Sequence, residues 1–366
     1  NDRSERRADL LVRDGVIAEI AESVCAEADR VIDAAGAYCM PGFIDMHVHL
    51  RDPGLTYKED IATGGAAAVH GGFTTIVAMP NTKPVADCPE VIRYVQEKAA
   101  QVTKAHVLQV GSVTRGMEGK ELSDIRGMAA AGCICISEAG KSVMNADLYR
   151  DAMRTAAEEH MTVLAHCEDI NLVHGGVLNA DVRAEELGMP GITNAVEDVI
   201  VARDILLAKE TGCRLHLCHC STADSVKMVQ MAKADGVSVT AEVCPHHFSM
   251  SSEEIPGDDA NYKMNPPLRT AADVEALKKG LSQDVMDVIA TDHAPHGAEE
   301  KAQSILKAPF GIVGLETAAA LTYTHLVKPG LLTVMQMAEK MSYQPAKILG
   351  LNKGVVEEGA PADLVI

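Results

Sequence analysis

The sequence predicts an α/β fold: a (β/α)8 barrel of the TIM type, with a small β-domain formed from both chain ends. Three observations support this. From residue 42 onward, short apolar runs rich in β-branched residues alternate with Ala-rich helical stretches, the pattern of βα units. Eight such runs follow one another over roughly 250–300 residues, the usual extent of a closed eight-stranded barrel. A doubly wound open sheet would lead us to expect a Gly-rich phosphate turn after an early strand, and the sequence has none.

Residues 8–40 read as short strands and turns (DLLVRDGVIAEIAE, then RVIDAAGAYCMPG), and 354–366 (GVVEEGAPADLVI) as another strand pair. The small domain is therefore expected from 1–40 with 351–366, and the barrel from 41–350. Barrel strands are expected near 42–49, 73–80, 105–113, 133–138, 161–167, 214–221, 238–247 and 285–295. Helices fill the gaps, among them 89–101, 147–159, 196–211, 222–234 and 271–282. Two loops are long, 168–195 and 296–316, and long loops on a barrel's C-terminal side usually carry function. The chain starts without Met and stops inside an apolar strand, so both ends read as truncated.

Composition narrows the function. Lys+Arg 33 against Asp+Glu 52 gives a net charge of −19, which argues against binding a phosphate backbone or an anionic membrane. Trp is absent and aromatics make up 3%, so there is no stacking platform for nucleic acid. The ten cysteines are scattered, two pairs lying at strand spacing (Cys133/Cys135 and Cys218/Cys220), and read as small core side chains. No signal peptide and no 18-residue apolar run is present, so a cytoplasmic protein is expected.

Chemistry is expected where barrel strands end. The first strand closes with His47 and His49, the fifth with His166, the sixth with His219 and the eighth with Asp292. Residues i and i+2 of a strand face one side, so His47 and His49 can both reach one ion at ~2.0–2.1 Å. Four neutral imidazoles and a carboxylate from separate strands suit Zn²⁺ or a similar divalent ion. His70, His106, His160, His174, His216 and His325 read as ordinary core or surface groups, and His246 and His247 as supporting groups behind the site.

These residues resemble the cyclic amidohydrolases, and among them the dihydroorotases of the long, barrel-type class. The likeness runs over nearly the whole chain, through GFIDMHVHLRDPG (42–54), MPNT (79–82), LAHCED (164–169), HLCHCST (216–222), TAEVCPHH (240–247), KMNPPLR (263–269), ATDHAPH (290–296) and APFGIVGLET (308–317). It implies that His47 and His49 hold one zinc with Asp292 beside it, and that His166 and His219 hold a second. Arg51, Asn81 and His296 would bind the substrate carboxylate, while Asn265, Phe310 and Gly311 contact the rest of the ring. The implied reaction interconverts N-carbamoyl-L-aspartate and L-dihydroorotate in pyrimidine biosynthesis, with Asp292 as general acid and base. Hydantoinases and allantoinases are the alternative within the superfamily. The implied partners are the small-molecule substrate, a second copy in a homodimer, and aspartate transcarbamoylase.

In one place the pattern breaks. The family carries a bridging acid after the fourth strand, in a segment of the type S-[DE]-D-G, and this chain reads SEAGKSV with Ala139 at that position. Three outcomes are open: one zinc on His47, His49 and Asp292 alone; replacement of the ligand by Glu138 or a carboxylated Lys141; or a narrowly disabled site, in a variant or in a subunit that supports aspartate transcarbamoylase.

Overall fold

The computed structural model describes residues 4–366. Eight parallel strands form the barrel: β1 (Phe43–Val48), β2 (Phe73–Ala78), β3 (His106–Gln109, resuming as Gly111–Ser112), β4 (Cys135–Ser137), β5 (Thr162–Ala165), β6 (Arg214–Leu217), β7 (Val239–Val243) and β8 (Val288–Ile289). The ring closes between β8 and β1, where His293 bridges Val48 in parallel and His49 N–H donates to His293 O at 2.8 Å.

All eight expected strands are present, and the expected helices lie within a residue or two, at Pro89–Val102, Ala146–Glu158, Ala195–Thr211, Ala223–Ala234 and Ala271–Ser282. Asn145, Thr222 and Thr270 cap three of these with side-chain oxygens, which satisfies first-turn N–H groups. Two expectations overran. The eighth strand, expected over 285–295, is only Val288–Ile289. The seventh strand stops at Val243, and Pro245–Ser249 is a short helix, so His246 and His247 lie beyond the sheet. Pro245 is the reason, since it has no N–H for a ladder and suits the first helical position.

The core has two layers. Ile44, Met46, Val77, Cys135, Leu164 and Val288 fill the inside of the barrel, and a larger cluster including Phe43, Phe73, Ile92, Met153 and Leu277 packs strands against helices. At the chain ends, Asp9–Arg13 pairs with Val16–Ala21, and Leu364–Val365 pairs with Met40–Pro41, both antiparallel. Ile17 also exchanges backbone hydrogen bonds with Gly359 and Ala360, which ties the two ends together. Among the described residues no helix is long and apolar enough to cross a membrane.

Candidate active site at the barrel mouth

His47 is the penultimate residue of β1 and His49 follows directly after the strand, while a register shift between Asp45 and Val48 interrupts the strand's pairing. That shift breaks the alternation that would turn His47 away from the interior shared by Ile44 and Met46. Each imidazole is held from behind. His47 Nδ1 donates to Glu242 Oε1 at 2.7 Å, and His49 Nδ1 donates to Asn81 Oδ1 at 2.8 Å. Spending both Nδ1–H groups this way leaves both Nε2 atoms facing Asp292 Oδ1, at 3.3 Å from His47 and 3.1 Å from His49.

The second pair is built alike. His166 Nε2 donates to Glu168 Oε2 at 2.9 Å, so its Nδ1 faces His219 Nε2 at 2.7 Å. His47, His219 and Asp292 each offer a ligand atom within 4.8 Å of the others, and all three are buried. The chemistry of these donors fits a divalent ion: imidazole nitrogens and one carboxylate turned toward one another, with His47, His49 and His166 each hydrogen-bonded at the far ring nitrogen. Arg51, His219 and Asp292 also adopt left-handed backbone conformations, at φ 60°, 34° and 48°. Non-glycine residues held there cost roughly 1–3 kcal/mol each, and such strain concentrates at functional sites.

Electrostatics separate the two first histidines. Burial alone would lower the pKa of His47, but the carboxylates of Asp292 and Glu242 outweigh it and raise it to about 9. Burial lowers His49 to about 4, and it lowers His219 well below the usual range with help from His166. Asp292 is also buried, yet His47 and His49 hold it far below the normal carboxylate range, so it is ionised at neutral pH.

The other end of the cavity is cationic. Arg51 is buried, its Nε donating to Pro295 O at 3.1 Å, and its terminal nitrogen lies 3.3 Å from His296 Nε2. Lys58 Nζ donates to His296 Nδ1 at 2.9 Å, which places the ring's proton on Nε2, 2.8 Å from Phe310 O. Gly311 allows the closest approach at this wall, because a Cβ there would stand 2.3 Å from Ala294 O and 2.8 Å from the His296 ring. Asn265 is hydrogen-bonded to Glu168 and so links this wall to the second histidine pair.

His47, His49, Arg51, Asn81, His166, His219, Asn265, Asp292, His296, Phe310 and Gly311 thus line one cavity of about 220 Å³. Ala139 is buried in the barrel-interior cluster beside it. Neither candidate replacement reaches in. Glu138 is turned away and accepts from Thr114 N–H at 3.0 Å, and Lys141 Nζ donates to Met117 O at 3.1 Å.

Three supports were not picked out from the sequence: Glu242, Glu168 and Lys58. Glu242 is fully buried and also accepts from His219 N–H at 3.0 Å and meets His216 Nε2 at 3.0 Å. The available signal was a carboxylate on a strand interior, in TAEVCPHH, which demands buried partners. His216, expected to be an ordinary core group, is buried and fully bonded, and it also helps hold Glu242.

A barrel that ends in this H-x-H pair, joined by two later histidines and one aspartate, defines the amidohydrolase class. A family model described as dihydro-orotase-like matches residues 36–225. A dihydroorotase of Pelotomaculum thermopropionicum is 49% identical over 359 residues, covering 98% of this chain and 84% of that protein, and one of Listeria monocytogenes is 47% identical over 358, covering 98% and 84%. The chain belongs to the dihydroorotase family. Among solved structures it is similar to the L-hydantoinase (dihydropyrimidinase) of Arthrobacter aurescens, with TM-score 0.86 and 29% identity over 98% of this chain and 82% of that one. The D-hydantoinase (dihydropyrimidinase) of a Thermus species gives 0.82 and 28%, with the same coverage.

Proposed function

We propose that this chain is a zinc-dependent dihydroorotase, closing N-carbamoyl-L-aspartate to L-dihydroorotate in pyrimidine biosynthesis and opening the ring in reverse. One observation supports this above the others. The Nε2 atoms of His47 and His49 converge on Asp292 at one end of a cavity whose other end holds Arg51 and His296. A ring amide at the first end and a carboxylate at the second would fill it.

His47, His49 and Asp292 would hold one ion, and His166 and His219 a second. Bound there, the ion would acidify a water and polarise the ring carbonyl. Ala139 offers no lone pair to bridge the two ions, so the second pair has no carboxylate besides the Asp292 it would share, and the first set is the stronger site. In the hydrolytic direction Asp292 takes a proton from the attacking water and delivers it to the ring nitrogen as the C–N bond breaks. Arg51 binds the acid group with a charge-assisted pair, and the Nε2–H of His296 turns from Phe310 O toward it. Asn81, with its carbonyl spent on His49, keeps its amide hydrogens for the same carboxylate.

A second reading rests on Ala139 alone: a structural partner of aspartate transcarbamoylase with little activity of its own. Metal content and dihydroorotate hydrolysis, for this chain and for Ala139→Asp, decide between the two. One ion per chain with turnover supports the enzyme with a single site. An inert chain that Ala139→Asp restores identifies a dihydroorotase disabled at one ligand. Failure of both proteins refutes the enzyme reading.

A further inference from the structure

We propose that Lys301 is a positioning residue, a clasp that holds the cavity wall formed by Phe310 and Gly311 in its substrate-binding shape. The inference rests on the functional reading of that cavity. Lys301 ends the short helix Ala298–Lys301, ten residues before Gly311, and its ammonium points back under the intervening loop. Its three N–H donors meet three backbone carbonyls: Gly311 O at 2.8 Å, Lys263 O at 3.2 Å and Pro309 O at 3.3 Å. These carbonyls belong to two segments that line the site, 309–311 and the stretch leading into Asn265. Gly311 N–H donates to Lys263 O at 3.0 Å, so the lysine closes over a contact the two segments already make.

Lys263 braces the same loop from the other side. Its Nζ donates to Ile305 O at 2.6 Å and stands 4.5 Å from the centre of the Phe310 ring. His296 completes the arrangement through Phe310 O. Phe310 is therefore fixed by its ring and its carbonyl, whereas Gly311 is held by its own N–H on Lys263 O and, at its carbonyl, by Lys301. The geometry makes Lys301 act through the backbone at a distance from the reacting atoms. Its loss should loosen one wall of the site and leave the metal-binding end untouched.

The test is calorimetric binding of L-dihydroorotate together with amide exchange at Gly311, for the unchanged chain, Lys301→Met, Lys301→Gln and Lys307→Met. Metal content per chain is measured alongside. Lys301→Met should weaken binding by at least tenfold and speed Gly311 exchange by a similar factor, with metal content unchanged. Lys301→Gln, which keeps two donors, should fall between, and Lys307→Met on the same loop should match the unchanged chain. Faster exchange with unaltered affinity would overturn the proposal, as would no change in either measurement. If the unchanged chain binds no dihydroorotate, the functional reading fails instead, and the exchange comparison still decides whether Lys301 holds the loop.

Discussion

Replacing Glu242 by Gln isolates the charge that stands behind His47. In the native arrangement Oε1 accepts from His47 Nδ1 at 2.7 Å and from His219 N–H at 3.0 Å, while Oε2 meets His216 Nε2 at 3.0 Å. A glutamine can keep all three contacts. Its carbonyl retains both lone pairs for His47 and His219, and its amide donates to His216 Nε2. His216 then carries its proton on Nδ1, 2.8 Å from Thr240 Oγ1, where a hydroxyl can accept it. Only the charge is lost. Hydrogen bonds to a charged group exceed neutral ones by about 1 kcal/mol each, so two such bonds on Oε1 give about 2 kcal/mol. That agrees with the roughly 10–100-fold loss of metal affinity usual when a carboxylate behind a ligating histidine is removed. Because Glu242 also helps raise the pKa of His47 to about 9, its loss eases competition from protons, and the comparison belongs at that pH or above. The assay is competitive zinc titration against a chelator, with urea unfolding of the metal-free proteins in parallel. Glu242→Gln should bind zinc about 30-fold more weakly. Glu242→Ala, which leaves three groups facing a vacant place, should lose about 3–5 kcal/mol of stability as well. Zinc affinity of Glu242→Gln within twofold of the unchanged chain would refute the reasoning.

Three further outcomes are expected. Arg51→Lys replaces a planar fork by a point charge, so kcat/KM for dihydroorotate should fall about 10–100-fold, chiefly through KM, in steady-state kinetics. Arg269→Met removes a buried cation bonded to Ser221, Asn179 and Ile192 O and leaves Glu197 without it, so denaturant unfolding should show a loss of about 3–5 kcal/mol. Burial, then the neighbouring Lys263, lowers the pKa of Lys301 to about 8, against an opposing pull from Asp259. Its charge is therefore half lost at about pH 8, and calorimetric affinity for dihydroorotate should decline through that value in the unchanged chain but not in Lys301→Met. Global stability should respond with the opposite sign. Between about pH 8 and 10 the unfolded chain holds this proton more tightly than the folded one, so the group's contribution to stability rises with pH.

What could be read in advance was set by spacing along the chain, and what could not was set by contacts across it. Alternation of short apolar runs with helical stretches placed eight strands, and histidines two apart at a strand end already imply one shared face. Pro245 is equally legible, since a residue without an N–H cannot continue a ladder, although the apolar run alone carries the expected strand two residues beyond it. Glu242 lies 195 residues from the ring it orients, and Lys58 lies 238 from His296, so no local pattern pairs them. The left-handed backbone at Arg51, His219 and Asp292 was also out of reach, because Asp and His adopt it only in a small minority of positions and Arg more rarely still, so the surrounding packing decides it. Ala139 falls between these cases. Its departure from the family pattern shows in the sequence, but whether a neighbour compensates is a question of direction. Glu138 bonded to Thr114 and Lys141 bonded to Met117 answer it: both point away, and the donors left at the mouth are the four histidines and Asp292. With nothing at Ala139 to bridge them, Asp292 is the only carboxylate among the described residues that line the cavity. Metal stoichiometry, more than fold or substrate recognition, is therefore the property by which this chain should differ from its relatives.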